Sequence, residues 1–132
     1  MEYRVQPPPV PSFARWRDLR RRFPGNSLLR RMEYEALAKL GMTGRVLDVG
    51  GGAKARYREY LPKDIDYASV NIDPEIEPIW LIQRGDPFPI DNDSFGWVVS
   101  FNTLGHVYDS RSTLAEALRV LKPGRSMVIP VP

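Results

Sequence analysis

The 132-residue chain has no cysteine. That excludes a disulfide framework, a thiolate zinc site and a cysteine nucleophile. It has one histidine, His106, which argues against a zinc site of the usual ligand types, and no metal is expected. No apolar run approaches the ~20 residues needed to span a bilayer. The N-terminus starts Met1-Glu2-Tyr3-Arg4 and then turns to proline. Without an apolar stretch there, it does not read as a signal peptide. A soluble, cytoplasmic protein with a single domain's worth of residues is expected.

Acidic residues are scarce at one end. Residues 1–32 hold eight arginines against Glu2 and Asp18, a net +6, whereas the whole chain carries +3. Such a segment could meet an anionic partner, namely nucleic acid, a phosphorylated sugar or a lipid headgroup. It could equally be a solvated helix face. Phe13 and Trp16 interleave with the arginines, which suits stacking on bases and suits packing within the protein just as well. No recognised nucleic-acid module accompanies the patch, so nucleic acid is not the expected partner.

The most informative stretch is Arg45-Val46-Leu47-Asp48-Val49-Gly50-Gly51-Gly52. An apolar strand ends in an acid, and three glycines follow. A glycine turn at the carboxyl end of a first strand lets backbone pass close to a nucleotide-like ligand. Side chains at Gly50 or Gly52 are expected to fill space the ligand needs. Asp48 could orient the turn or accept hydrogen bonds from a ligand amine. Alone, the glycines could also be a flexible turn without a ligand. Asp73 ends a second apolar run and lies 25 positions after Asp48. In a Rossmann-type sheet an acid about 20 residues on meets ribose hydroxyls. The glycine spacing is a poor match to the dinucleotide fingerprint, because Lys54 stands where a further glycine would fall.

Two later blocks extend the pattern. Phe88-Pro89-Ile90-Asp91-Asn92-Asp93-Ser94-Phe95 leads into Gly96-Trp97-Val98-Val99-Ser100 and on to Leu104-Gly105-His106-Val107. Glu116-Ala117-Leu118-Arg119-Val120-Leu121-Lys122-Pro123-Gly124 closes it. With the glycine motif, these resemble the class I S-adenosylmethionine-dependent methyltransferases: D/E-x-G-x-G-x-G, then "LPFPDNSFDVV", "LEHV" and "E-x-x-R-V-L-K-P-G-G". The resemblance covers about two thirds of the chain, from Arg45 onward. It implies an α/β, Rossmann-like, doubly wound sheet, mostly parallel, of about five strands. It implies S-adenosylmethionine as cofactor, held by Asp48, Gly50, Gly51, Gly52 and Asp73, with Asp86 near the adenine and Asn102 near the methionine part. Asp86 could instead be only a turn former, and Asn102 could cap its turn. His106 matches the family's histidine. It is the candidate base, or else a buttress of its loop. Gly96, Arg125 and Lys54 depart from the pattern. Lys54 either crowds the ligand or lies out in solvent.

The expected layout is a basic, proline-rich segment over 1–26 with a short helix, and a cofactor-binding domain over 27–132. Pro7-Pro8-Pro9-Val10-Pro11 should be polyproline II. Helices are expected from Ser12 to about Arg22, from Ser27 to Leu40, over 54–61, and from Ser110 or Ser112 to Leu121, the last stopped by Pro123-Gly124. Strands are expected at 45–49, 67–72, 97–101 and 126–129. Between Asp73 and the apolar run 79–82 only five residues intervene. A parallel crossover with its helix needs at least ~10, so a short edge strand reached by a tight loop is expected there.

The family pattern runs on past strand five with a helix and antiparallel strands, which this sequence does not show. Strand five, with Met127, Val128 and Ile129, is therefore expected to be an apolar edge, and either it recruits a second copy or the chain lacks most catalytic activity because its acceptor pocket is incomplete. The expected function is methyl transfer from S-adenosylmethionine to a small-molecule or glycan-related acceptor. The alternative, from a different class, is a catalytically incomplete domain that serves as a cofactor-binding or interaction module.

Overall fold

The computed structural model describes residues 5, 7, 9–101, 103–104 and 109–130. The chain divides into two compact units, one ending at Ala36 and the other beginning at Leu37.

In the first unit, helix α1 spans Phe13–Arg22. Ser12 caps it, its hydroxyl accepting from the Arg15 amide at 3.0 Å. Arg20, Arg21 and Arg22 occupy the last turn, where cations complement the helix dipole. Helix α2 spans Leu28–Ala38. Glu35 is buried and takes a two-pronged pair from Arg15 at 3.1 and 2.8 Å. Asp18 pairs with Arg21 and Arg22, and Arg30 pairs with Glu33. Much of the basic character is thus taken up inside the unit. Arg17 and Arg20 lie over the rings of Phe13 and Trp16 at 5.1 and 5.4 Å.

The second unit is built on a five-stranded sheet of order β3-β2-β1-β4-β5, all of whose pairs are parallel. Its strands are β1 (Arg45–Val49), β2 (Asp66–Asn71), β3 (Trp80–Leu81), β4 (Phe95–Val99) and β5 (Leu121–Val128). Helix α3 spans Ser110–Val120 and is capped by Asp109. Alternation along β1 sends Leu47 and Val49 to one face, with Val70, Phe88, Val98 and Val120. It sends Val46 to the other, with Leu37, Met42, Leu61 and Phe101. Asp48 shares the second face. The expected Rossmann-like sheet is therefore present, and β3 is the short edge strand that the loop length required. Among the described residues, no helix is long and apolar enough to cross a membrane.

Three expectations need correction. The helix over 54–61 is instead a single 3-10 turn, Arg56–Tyr60. Lys54 and the residue before it are tied by their backbone to Ile76 and Glu77, and Pro62 follows soon after. Five residues cannot repay the cost of α-helix nucleation. Next, α3 is stopped at Val120, before Pro123-Gly124. Leu121 is already extended and pairs with Phe95. Pro123 and Gly124 (φ 71°) fall in a bulge between the Phe95↔Leu121 and Trp97↔Ser126 pairs, the place where a sheet tolerates proline. For the same reason β4 starts at Phe95 rather than at Trp97.

Candidate functional site

The glycine turn leaves β1 at its carboxyl end. Gly50 has φ +88°, a left-handed conformation that side chains resist. A Cβ on Gly50 would overlap the Thr103 side chain, one on Gly51 the Asp48 carboxylate, and one on Gly52 the Ile76 carbonyl. The first obstacle at each glycine is the protein itself. The turn is packed from below by Asp48, from one side by Thr103 and from the other by the loop after β2.

Asp48 is fully buried. The hydroxyl of Tyr57, from the 3-10 turn, donates to both of its oxygens at 3.1 and 2.9 Å. Tyr67 donates to Oδ2 at 2.7 Å. Register explains Tyr67: Asp48 pairs with Ser69, and Tyr67 is its diagonal neighbour on the same face. Burial pushes the Asp48 carboxyl up to about 6, against the lowering effect of the two tyrosines and the Arg58 charge. Of the two roles expected for Asp48, this geometry serves the orientation of the turn. Neither tyrosine was legible as a site residue. The signal was available, since a carboxylate inside a buried strand demands donors.

β2 and the loop after it are both bonded to the turn. Gly50 N donates to Val70 O at 2.8 Å, Ala53 N to Glu77 O at 3.0 Å and Lys54 N to Ile76 O at 3.1 Å. Lys54 pairs with Glu77 at 2.7 Å, with both side chains more than half exposed. That favours the outward reading of Lys54. Asp73 caps the short 3-10 turn Pro74–Ile76, its Oδ1 accepting from Glu75 N at 2.9 Å. It is exposed. Asn71, which the sequence reading missed, bonds to both segments. Its Nδ2 donates to the Gly50 and Gly51 carbonyls at 2.8 and 3.2 Å. Its Oδ1 accepts from the Ile72 and Asp73 amides at 2.8 and 3.1 Å.

A cleft of about 220 Å³ opens beside these loops, at the carboxyl ends of β1 and β2. Gly50, Asn71, Ile72, Asp86, Thr103 and Glu116 line it, over an apolar floor that includes Val49, Val70 and Phe88. Of the expected site residues it brings together Gly50 and Asp86. Asp73 follows the lining residues Asn71 and Ile72, whereas Asp48, Gly51 and Gly52 are buried and do not line the cleft. Asp86 Oδ2 accepts from Gln83 N at 3.1 Å across a tight turn, with Gly85 at φ +87°. The carboxylate thus forms the turn and faces the cleft. Asn102 and His106 lie outside the described residues. Among the described residues no cluster of histidine and carboxylate side chains could hold a metal ion.

The Glu116-x-x-Arg119 pair closes the far wall. Arg119 donates to Glu116 at 2.8 and 2.7 Å, to the Ile90 and Phe88 carbonyls at 2.8 and 3.1 Å, and to Asn92 Oδ1 at 2.8 Å. Glu116 also accepts from Phe88 N at 2.7 Å. The Arg119 hydrogen bonds hold the Glu116 carboxyl below the usual range. This clamp fixes the 88–92 segment on α3. Arg119→Lys keeps the charge but loses the planar fork. It should destabilise the fold by about 1.5–3 kcal/mol, read as a lower urea midpoint at unchanged slope. An unmoved midpoint would show the clamp to be dispensable.

A sheet of order 3-2-1-4-5 with a glycine turn after β1 and an acid after β2 is now in place. A family model described as a methyltransferase domain matches residues 13–132. The chain belongs to the class I S-adenosylmethionine-dependent methyltransferases. No curated protein matches it. Solved structures share the fold. A SAM-dependent methyltransferase of Aquifex aeolicus is 18% identical with TM-score 0.57, over 72% of this chain and 61% of that one. One of Thermotoga maritima is 23% identical with TM-score 0.58, over 89% and 58%. The methyltransferase solved with the Haloferax volcanii Trm112 activator is 23% identical with TM-score 0.60, over 87% and 55%. The chain spans less than two thirds of the length of these methyltransferases. Within the methyltransferase domain, the cleft sits where open α/β sheets bind ligands, outside the strands' carboxyl ends and beside the β1/β4 switch point.

Proposed function

We propose that this methyltransferase domain binds S-adenosylmethionine in the β1/β2 cleft and directs its methyl group to a small-molecule or glycan-related acceptor. The observation that carries the reading is one cleft that joins the Gly50 turn, an apolar floor and the Asn71-Ile72 segment, with the exposed Asp73 carboxylate next in the chain. These residues fit a nucleoside joined to an amino acid. Val49, Val70 and Phe88 offer an apolar surface for a flat base. Asp73 spends one oxygen on its own cap, and the other is open to vicinal hydroxyls. Asp86 presents a second acceptor at the rim. When bound, the cofactor supplies a methyl group on a sulfonium that is already a good leaving group. The chain's part is then to hold the ligand at a fixed angle and to exclude water. A base is needed only for a protonated oxygen or nitrogen acceptor.

Titration calorimetry with S-adenosylmethionine, followed by mass detection of methylated product, tests the reading. Binding with turnover supports it. Binding without turnover leaves a cofactor-binding module, and no binding removes the assignment. Asp73→Ala should weaken binding by about 1.5–3 kcal/mol, the range for hydrogen bonds to a charged group. An Asp73→Ala variant with the parent's affinity would remove Asp73 from the site.

A further inference from the structure

Asn71 is the last residue of β2, and its backbone is fixed in the sheet: it pairs with Leu81, and its carbonyl accepts from Ile82 N at 3.0 Å. Its side chain reaches out of that rigid frame in two directions. The amide nitrogen faces two carbonyls of the glycine turn, and the amide oxygen faces two N–H groups of the segment that ends in Asp73. A flipped amide would set donors against donors and acceptors against acceptors, so the orientation is fixed by the network. No other residue type of this length offers a donor and an acceptor side by side in one plane. Asp supplies only acceptors when ionised, and Ala supplies neither.

We propose that Asn71 is the positioning residue that sets the distance between the glycine turn and the Asp73 carboxylate, and so holds both ends of one bound nucleoside–amino-acid ligand in register. The proposal rests on the cofactor site proposed above. The nucleoside end depends on Asp73, and the amino-acid end depends on the turn. One planar amide couples them, and it separates into two halves by substitution. Asn71→Asp keeps the acceptor half toward Asp73 and sets a negative charge against the Gly50 and Gly51 carbonyls. Asn71→Ala removes both halves.

The test measures affinity for two probes, S-adenosylhomocysteine and 5′-methylthioadenosine, which lacks the amino-acid part, together with the thermal midpoint of each variant. Asn71→Ala should weaken S-adenosylhomocysteine binding by roughly 10- to 100-fold and weaken methylthioadenosine as well, in keeping with the loss of the hydrogen bonds on both sides of the amide. Asn71→Asp should lose at least about tenfold for S-adenosylhomocysteine and less than about threefold for methylthioadenosine. A purely structural role would lower the Asn71→Asp midpoint and reduce both of its affinities in proportion, and that result overturns the proposal. So does an Asn71→Asp protein that binds both probes as the parent does. If Asn71→Ala does not fold, the Asn71→Asp ratio alone decides. A parent chain that binds neither probe overturns the cofactor reading itself. A parent that binds while Asn71→Asp shows no split overturns only the role of Asn71.

Discussion

Gly50→Val is expected to cost about 2–6 kcal/mol of folding stability and to abolish ligand binding with it. Two effects add. Gly50 sits at φ +88°, where a β-branched residue is strained by about 1–3 kcal/mol. Its Cβ would also overlap the Thr103 side chain, and overpacking of this kind costs about 1–3 kcal/mol. The two can be separated. Combining Gly50→Ala with Thr103→Gly should relieve the overlap and leave the backbone strain, recovering only part of the loss in urea unfolding. Full recovery would mean that the turn accepts a side chain at positive φ. A valine variant with the parent's midpoint would mean that the turn moves freely, and the packed description of it would be wrong.

The second large effect is a dependence of stability on pH centred on Asp48. Its carboxyl rises from 3.8 to about 6 on folding, chiefly because burial penalises the charged form. The folded state therefore holds the proton more tightly than the unfolded chain. The stabilisation is complete below about pH 4 and is lost as the pH rises through about 6. A shift of about 2 units corresponds to about 3 kcal/mol. Asp48→Asn abolishes this titration, and the tyrosine hydroxyls can turn to serve an amide. The variant should therefore gain on the parent between pH 4 and pH 7 in chemical unfolding. Tyr67→Phe should do the reverse. It removes a donor that favours the anion, raises the carboxyl further, and destabilises the protein by about 1.5–3 kcal/mol at pH 8. A constant gap between parent and Asp48→Asn from pH 4 to pH 8 would show that Asp48 does not titrate in this range.

Both effects come from one small region, in which the turn after β1 has no slack. Asp48 fills the space beneath Gly51, Ile76 O fills the space beside Gly52, and Thr103 fills the space beside Gly50. The three glycines are required first by this packing. A ligand then meets a turn whose shape is already set, and preorganisation of that kind lowers the cost of binding.

The positions of the first three strands were legible from residue patterns. The apolar run that ends in Asp48, the second that ends near Asp73, and the five residues before the run at 79–82 led to β1, β2 and a short β3. The Glu116-to-Gly124 block fell on the end of α3 and the start of β5, though its proline and glycine proved to mark a bulge. Local pattern cannot tell a helix stop from a bulge, because Pro-Gly suits both. The strand partner opposite Leu121 decides between them.

The sequence by itself carried the motifs by which the chain resembles its family, and through that resemblance the parallel sheet; loop length alone led to the short β3. Motif and loop length are local in the chain. Tertiary structure alone decided which groups face one another. Tyr57 and Tyr67 meet Asp48 across 9 and 19 residues. Asn71 reaches back 21 residues to Gly50, and Arg119 reaches 31 to Phe88. Tyr67 and Asn71 are placed by the register of β2 against β1, and a one-residue slip would reverse both, while Tyr57 and Arg119 are placed by the 3-10 turn and α3 that carry them. Spacing along a single sequence carries no record of that register, so these partners had to wait for the folded sheet.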